Sequence, residues 1–290
     1  MKKWISLALP IMIAAVLTGS VNAEPDREGL PDTVAGSKVD IGGFKMWGQV
    51  NGTKNTEPTV VFDPGYGDQY TIWTDTGVAS AISKRTQTVL YDRAGLGWSQ
   101  QSVGATHTAL DQAIQLRKLL KGLKVDPPYV FVTHGISALN VRMYAALYQD
   151  EVAGVVFLDP SHEYQENALF PDDMDEVKER YKTEMVEEGG YNELLRTYDQ
   201  ITSTSRPLDP LRNIPIYVLS AGQKAFLSDT MKVWNDMQKD IESLSDNTTL
   251  IVDKKSGHYL MRDDPKMTIN AINNVLDRIK LQQQKTKESN

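Results

Sequence analysis

Four histidines, His107, His134, His162 and His258, are the side chains here whose ordinary pKa allows proton exchange near neutral pH. The sequence has no cysteine, which removes disulfides, thiolate metal ligands and a cysteine nucleophile. His162 and Glu163 are adjacent, yet two ligands fall short of the three or four that a zinc site needs. His258 follows a β-branched run and a Ser256-Gly257 turn, a place from which a general base can face a pocket. Asp159 closes the run GVVFLD before Pro160, where a carboxylate either orients a base or caps the turn. Ser137 opens a helix-length segment, where a hydroxyl caps exposed backbone N–H groups as readily as it attacks a carbonyl. His134 is expected to pack beside that helix start, and His107 to sit in a solvent-facing loop.

These residues need a frame, and the hydrophobic pattern supplies one. Residues 38–50 alternate weakly around Gly42-Gly43, as in a two-stranded hairpin. Short β-branched runs follow: Thr59 to Asp63, Thr86 to Tyr91, Tyr129 to Thr133, Ala153 to Leu158, Ile214 to Leu219 and Thr248 to Val252. Helix-length segments separate most of them. Near-continuous apolar strands alternating with helices predict a mostly parallel sheet covered on both faces. Leu110 to Leu123 keeps Leu116, Leu119, Leu120 and Leu123 on one helical face, and Asn270 to Ile279 does the same with Ile272, Val275 and Ile279. The rhythm breaks over 162–212, where 13 acids face 6 bases, with helical spacing around Met174 to Met185, a Gly189-Gly190 break and a polar Thr202-Ser203-Thr204-Ser205 joint. An insertion there reads as a lid over the sheet. The tail, 282–290, is polar and expected to fray.

Composition bounds the partners. The 290 residues are 40% hydrophobic and 24% charged, ordinary for a globular chain. The formal charge of −7 and a pI near 5.2 disfavour nucleic acid and anionic membrane surfaces. Lys2 and Lys3, the apolar run from Trp4 to Leu17 and Val21-Asn22-Ala23 read as a signal peptide over 1–23, with export to the cell envelope or medium. Removing it takes two lysines and no acid, so the remaining chain carries 29 − 38 = −9. Leu17-Thr18-Gly19-Ser20 has the shape of a lipoprotein box, but Ser20 stands where the lipidated thiol belongs. The apolar run is short against the roughly 20 residues of a membrane span. No later stretch is apolar enough for a stable span in the mature chain.

The segment PYVFVTHGISALNVRMYAALY (128–148) reads as a strand, a sharp turn and an amphipathic helix. Together with TVVFDPGYGDQYTIW (59–73), VLYDRAGLGWS (89–99), GVVFLDPSHE (154–163) and SGHYLMRDDP (256–265), it resembles the α/β-hydrolase superfamily, here as an exported bacterial member. The resemblance spans nearly all of the mature chain. It implies an α/β fold with a mostly parallel eight-stranded sheet flanked by helices: a core at 24–161 and 213–281, and a helical lid insertion at 162–212. That family carries its nucleophile at the centre of a G-x-S-x-G elbow. In this sequence Thr133-His134-Gly135-Ile136-Ser137 occupies the elbow, so Gly135 stands at the nucleophile position and the serine is missing. Sliding the pattern by two residues offers Ser137 as an alternative nucleophile, though Ala138-Leu139 then fails to complete it. The resemblance further implies His258 as base, Asp159 as its acid with Asp229 as the later alternative, and the N–H groups of Tyr66 and Ile136 as an oxyanion hole. Asp92 and Arg93 are expected to tie strand ends together.

The implied chemistry is hydrolysis of a small ester- or amide-like ligand, without cofactor or metal. With glycine at the elbow, four outcomes stay open: activity that is weak or lost, hydrolysis by a water that His258 and Asp159 activate, ligand binding without turnover, or an active enzyme using Ser137. Oligomeric state is not encoded in any motif.

Overall fold

A computed structural model describes residues 35–101, 107–169, 175, 190–223 and 230–288. The expected signal peptide and Asp229 lie outside these residues, as does all but Asp175 of the helix expected over Met174 to Met185.

Eight strands form one sheet: β1 (Ser37–Asp40), β2 (Lys45–Asn51), β3 (Thr59–Asp63), β4 (Thr88–Tyr91), β5 (Tyr129–His134), β6 (Val152–Leu158), β7 (Ile216–Ala221) and β8 (Thr248–Asp253). Their order is β1-β2-β4-β3-β5-β6-β7-β8, with β1, β2 and β4 paired antiparallel and every later pairing parallel. The chain steps outward from β3 to β4, then returns across β3 to β5. This reversal leaves a crevice at the carboxyl ends of β3 and β5, where open α/β sheets place ligands.

The strands are apolar on both sides because both faces are covered. Along β3, Val61 joins the core under one helical layer, whereas Val60 and Phe62 join the other. The first layer holds α3 (Ala109–Gly122), α4 (Ser137–Leu147), α6 (Gly190–Gln200) and α8 (Met231–Glu242). The second holds α1 (Thr71–Thr74), α2 (Val78–Ser83), α9 (Leu260–Asp263) and α10 (Pro265–Glu288). Each fully buried aliphatic side chain at these interfaces contributes about 1.5–3 kcal/mol.

Local readings change in several places, β4 among them, which begins at Thr88 rather than Thr86. Strand β7 begins two residues later than Ile214 because Pro215 has no N–H for the ladder; its carbonyl instead accepts from Val155 N at 3.1 Å. The polar joint at 202–205 is no break: a π-helical turn, Ile201–Ser205, carries α6 into α7 (Arg206–Leu208). The polar tail is helical to Glu288, since Gln, Lys and Glu lose little rotamer freedom in a helix even when fully exposed.

The described part of 162–212 also includes α5 (Gln165–Leu169). Its later portion is stitched to the body of the protein. Leu194, Tyr198, Ile201 and Leu211 are buried in the core under α3 and α4. Thr197 Oγ1 and Gln200 Oε1 accept from the first N–H groups of α3, at Ala109 and Leu110.

Candidate active site

The turn between β5 and α4 is tight, and Gly135 at its apex has φ +56°. A side chain there costs about 1–2 kcal/mol, which glycine avoids. The turn is held by Gly135 N donating to Leu158 O at 3.1 Å, and by Ser161 N donating to Gly135 O at 3.0 Å. A Cβ built on Gly135 would lie 3.4 Å from His258 Nε2 and Cε1, in ordinary van der Waals contact. The apex is therefore aimed at the histidine edge and carries no side chain.

His258 sits in the loop after β8, its side chain 38% exposed. Its Nδ1 meets Asp159 Oδ2 at 2.5 Å. Asp159 is fully buried just past β6, with φ +44°, a left-handed conformation that aspartate tolerates better than most residues. Its backbone N–H donates to Leu219 O at 2.6 Å, and Oδ1 accepts from Ala221 N at 3.0 Å. The carboxylate is thus fixed between strand ends with one oxygen left for the imidazole. His258 Nε2 makes no hydrogen bond among the described residues.

Ser137, the alternative nucleophile of the shifted pattern, is the first residue of α4. Its hydroxyl is fully buried, accepts from His134 N at 2.8 Å, and lies 2.9 Å from His134 O and 3.1 Å from Asp63 O. It joins the elbow to the end of β3 and does not cap α4, whose N-cap is Ile136 with no side-chain cap hydrogen bond. The physical reason is position: Ser137 lies inside the first helical turn, so its side chain projects back into the strand ends.

His134 packs beside the elbow as expected, its ring 4.3 Å from that of His258 and 4.9 Å from that of Tyr259. Its nitrogens face Asp68 Oδ2 at 3.2 Å and the His258 carbonyl at 3.0 Å. Burial pushes its pKa below the ordinary histidine range, against the opposing pull of Asp68. Gly65 must be glycine because a Cβ would lie 2.3 Å from His134 Nδ1 and 2.6 Å from Asp68 Oδ2. This close approach seats the loop after β3 beside the elbow, and with it Tyr66. Ile136 N, the first amide beyond the apex, has no hydrogen-bond partner among the described residues.

Asp92 and Arg93 tie strand ends together, as the sequence implied. Asp92 accepts from Tyr70 N at 2.8 Å and Trp98 N at 2.9 Å; burial nevertheless pushes its pKa up to about 6. Arg93 bonds the carbonyls of Pro64 and Gly65 and lies 3.3 Å from Asp63 Oδ1. His107 is only half-buried, but its carbonyl is engaged by Gln112 Nε2 at 2.8 Å rather than left to solvent.

His162 and Glu163 belong to a different structure. Glu163 receives both Arg142 guanidinium nitrogens, at 2.8 and 3.0 Å, and also Arg206 Nε. Arg206 and His162 Nε2 share Asp240, the latter at 2.8 Å. Burial alone would raise the Glu163 pKa, but the Arg142 hydrogen bonds and charge outweigh it and hold the carboxyl well below the usual range. Burial lowers His162 against the charge of Glu163. Sequence reading missed Arg142, Arg206 and Asp240 as members. The one available signal was an arginine inside the otherwise apolar run Val141 to Leu147. It missed Asp68 and Tyr259 because neither sits in a pattern that marks contact with His134.

Comparison with known proteins agrees with this fold. The family model for the alpha/beta hydrolase fold matches residues 58–201. An uncharacterized protein of Bacillus subtilis, YqjL, is 30% identical over 217 residues, covering 75% of this chain and 83% of the relative. Among solved structures, bromoperoxidase from Bacillus anthracis is similar with a TM-score of 0.65 at 16% identity, covering 84% of this chain and 100% of that one. A thermophilic esterase from Thermogutta terrifontis, described as malate bound, has a TM-score of 0.57 at 16% identity, covering 85% of this chain and 98% of its own. The chain belongs to the alpha/beta hydrolase fold family.

Proposed function

We propose that this protein is an ester- or amide-hydrolase relative in which glycine replaces the elbow serine, and that His258 and Asp159 act on a water instead. The observation that carries this reading is the His258 edge, 3.4 Å from the Cβ position of Gly135, with its other nitrogen on Asp159. In the proposed reaction a water occupies the space a serine hydroxyl would fill. His258 Nε2 takes a proton from it as its oxygen bonds to the substrate carbonyl carbon. The carbonyl electrons move onto oxygen, stabilised by the N–H groups of Tyr66 and Ile136. Collapse of the tetrahedral species breaks the bond to the alkoxide or amine, which leaves with the proton from His258. No acyl-enzyme forms at Gly135.

Losing the nucleophile of such a triad costs roughly a millionfold in turnover, while the remaining groups retain about a thousandfold over water. Slow hydrolysis of small esters is the expected activity. Ligand binding without turnover is the second reading, favoured by the absence of any side chain at residue 135 that could be acylated. As part of the proposal, residues 1–23 export the protein and 162–212 shape ligand entry, supported by the charge and hydrophobicity patterns of those stretches.

Hydrolysis of short-chain acyl esters by the parent and by Gly135→Ser tests the reading. Slow parent turnover that stops in His258→Ala, and a large gain in Gly135→Ser, are expected. A parent and serine variant that are equally inert would leave the binding reading in its place.

A further inference from the structure

We propose that Arg93 is a positioning residue for the oxyanion loop, fixing the peptide planes that present the Gly65 and Tyr66 N–H groups. This rests on the proposed function, in which the Tyr66 N–H stabilises developing charge. The side chain of Arg93 is 4% exposed, and its two terminal nitrogens reach two successive carbonyls, those of Pro64 and Gly65. A peptide unit is planar and trans, so its C=O and the following N–H point in opposite directions. Holding the Pro64 carbonyl toward the guanidinium turns the Gly65 N–H away from it. Holding the Gly65 carbonyl does the same for the Tyr66 N–H.

Two amides turned to one side make a small concave donor pair, suited to negative charge. The planar fork of arginine spans two acceptors at once, whereas a lysine ammonium is a point charge on a flexible stem. Asp63, fully buried and 3.3 Å from Arg93 Nη1, balances the charge. The same residue's carbonyl receives Ser137 Oγ at 3.1 Å. The loop is therefore pinned from below by Arg93 and tied to the elbow by Ser137, with the His134 ring against Gly65.

Asp68 N also donates to the Gly65 carbonyl, at 3.2 Å; without the fork that single weaker bond opposes rotation of the Gly65–Tyr66 peptide, to which the glycine backbone adds little resistance. A rotated peptide would aim the Gly65 carbonyl, a negative dipole, where the N–H is needed. The motif around Arg93 would then act on chemistry through the backbone of another loop, without touching substrate.

The test is the crystal structure of Arg93→Lys and of Arg93→Gln, each in the otherwise unchanged protein, together with fluorophosphonate labelling rates in a Gly135→Ser background. A rotated Gly65–Tyr66 peptide is expected in both variants, with labelling slowed about 100- to 1,000-fold and ester KM little changed. Arg93→Lys retains the charge opposite Asp63 and so decides the matter if Arg93→Gln fails to fold. An unrotated peptide overturns the inference, even if thermal stability falls. An inert Gly135→Ser protein would overturn the proposed reaction alone, since peptide orientation is read without activity.

Discussion

Two of the polar clusters among the described residues, those around Glu163 and His258, are built to opposite plans. Around Glu163, each charge meets an opposite charge: Arg142 donates twice, Arg206 bridges Glu163 to Asp240, and His162 closes on Asp240. Around His258, whose side chain is partly exposed, one nitrogen is fixed by buried Asp159, while the other faces a residue without a side chain. Charges spent on one another fix the fold there, although Arg142 Nε is buried without a hydrogen-bond partner. The His258 cluster keeps a ring nitrogen that no opposite charge engages, and that difference, more than the presence of histidine, is what the proposed function uses.

The contrast predicts opposite responses to mutation. In a Gly135→Ser background, His258→Ala should lower turnover by about a millionfold with little change in melting temperature. Ester hydrolysis and thermal melts of the two proteins check it. A small loss of activity would place the base elsewhere.

At the Glu163 cluster the effect falls on stability. Glu163→Gln leaves Arg142 buried without a balancing charge and should cost about 3–5 kcal/mol, measured by urea unfolding. The sign of the pH dependence follows from the depressed Glu163 pKa. The unfolded state takes up the proton first, so the stabilisation is full above the ordinary glutamate pKa and is lost as pH falls below it. The variant should show a flatter acid limb below about pH 4.5. Asp92, raised by burial, acts in reverse: its favourable contribution is present below the ordinary aspartate pKa of 3.8 and lost as pH rises through about 6.

The smallest of these effects concerns the serine near the elbow. Ser137→Ala removes a hydroxyl with three backbone partners, and should cost about 1–3 kcal/mol, with hydrolysis by the parent reduced far less than by His258→Ala. Loss of that activity with stability intact would return Ser137 to the role of nucleophile.

How much of this was legible in the sequence depends on range. The strand Thr59–Asp63 and the faces of α3 and α10 follow from local hydrophobic period, and the structure places them as read. The loop after β3, the elbow, Asp159 and His258 came together in the expected places because each sits at a strand end that the topology converges. Strand β7 was misplaced at Pro215, and Ser220 and Ala221 look unlike strand residues, yet both are buried there between β6 and β8. The Glu163 cluster joins residues far apart in the chain, and no periodicity announces a partner at that distance. Nor does sequence reveal that the Ser137 hydroxyl is spent on Asp63 and His134; only the fold brings those carbonyls within reach.

The central claim is that residue 135 holds the nucleophile position and is empty. Treat the parent and Gly135→Ser with a fluorophosphonate and examine the peptide containing residues 134–138 by mass spectrometry. The account predicts no adduct on the parent and a stoichiometric adduct on the introduced serine, at a stability cost of about 1–2 kcal/mol for its left-handed backbone. An adduct on the parent peptide would contradict it.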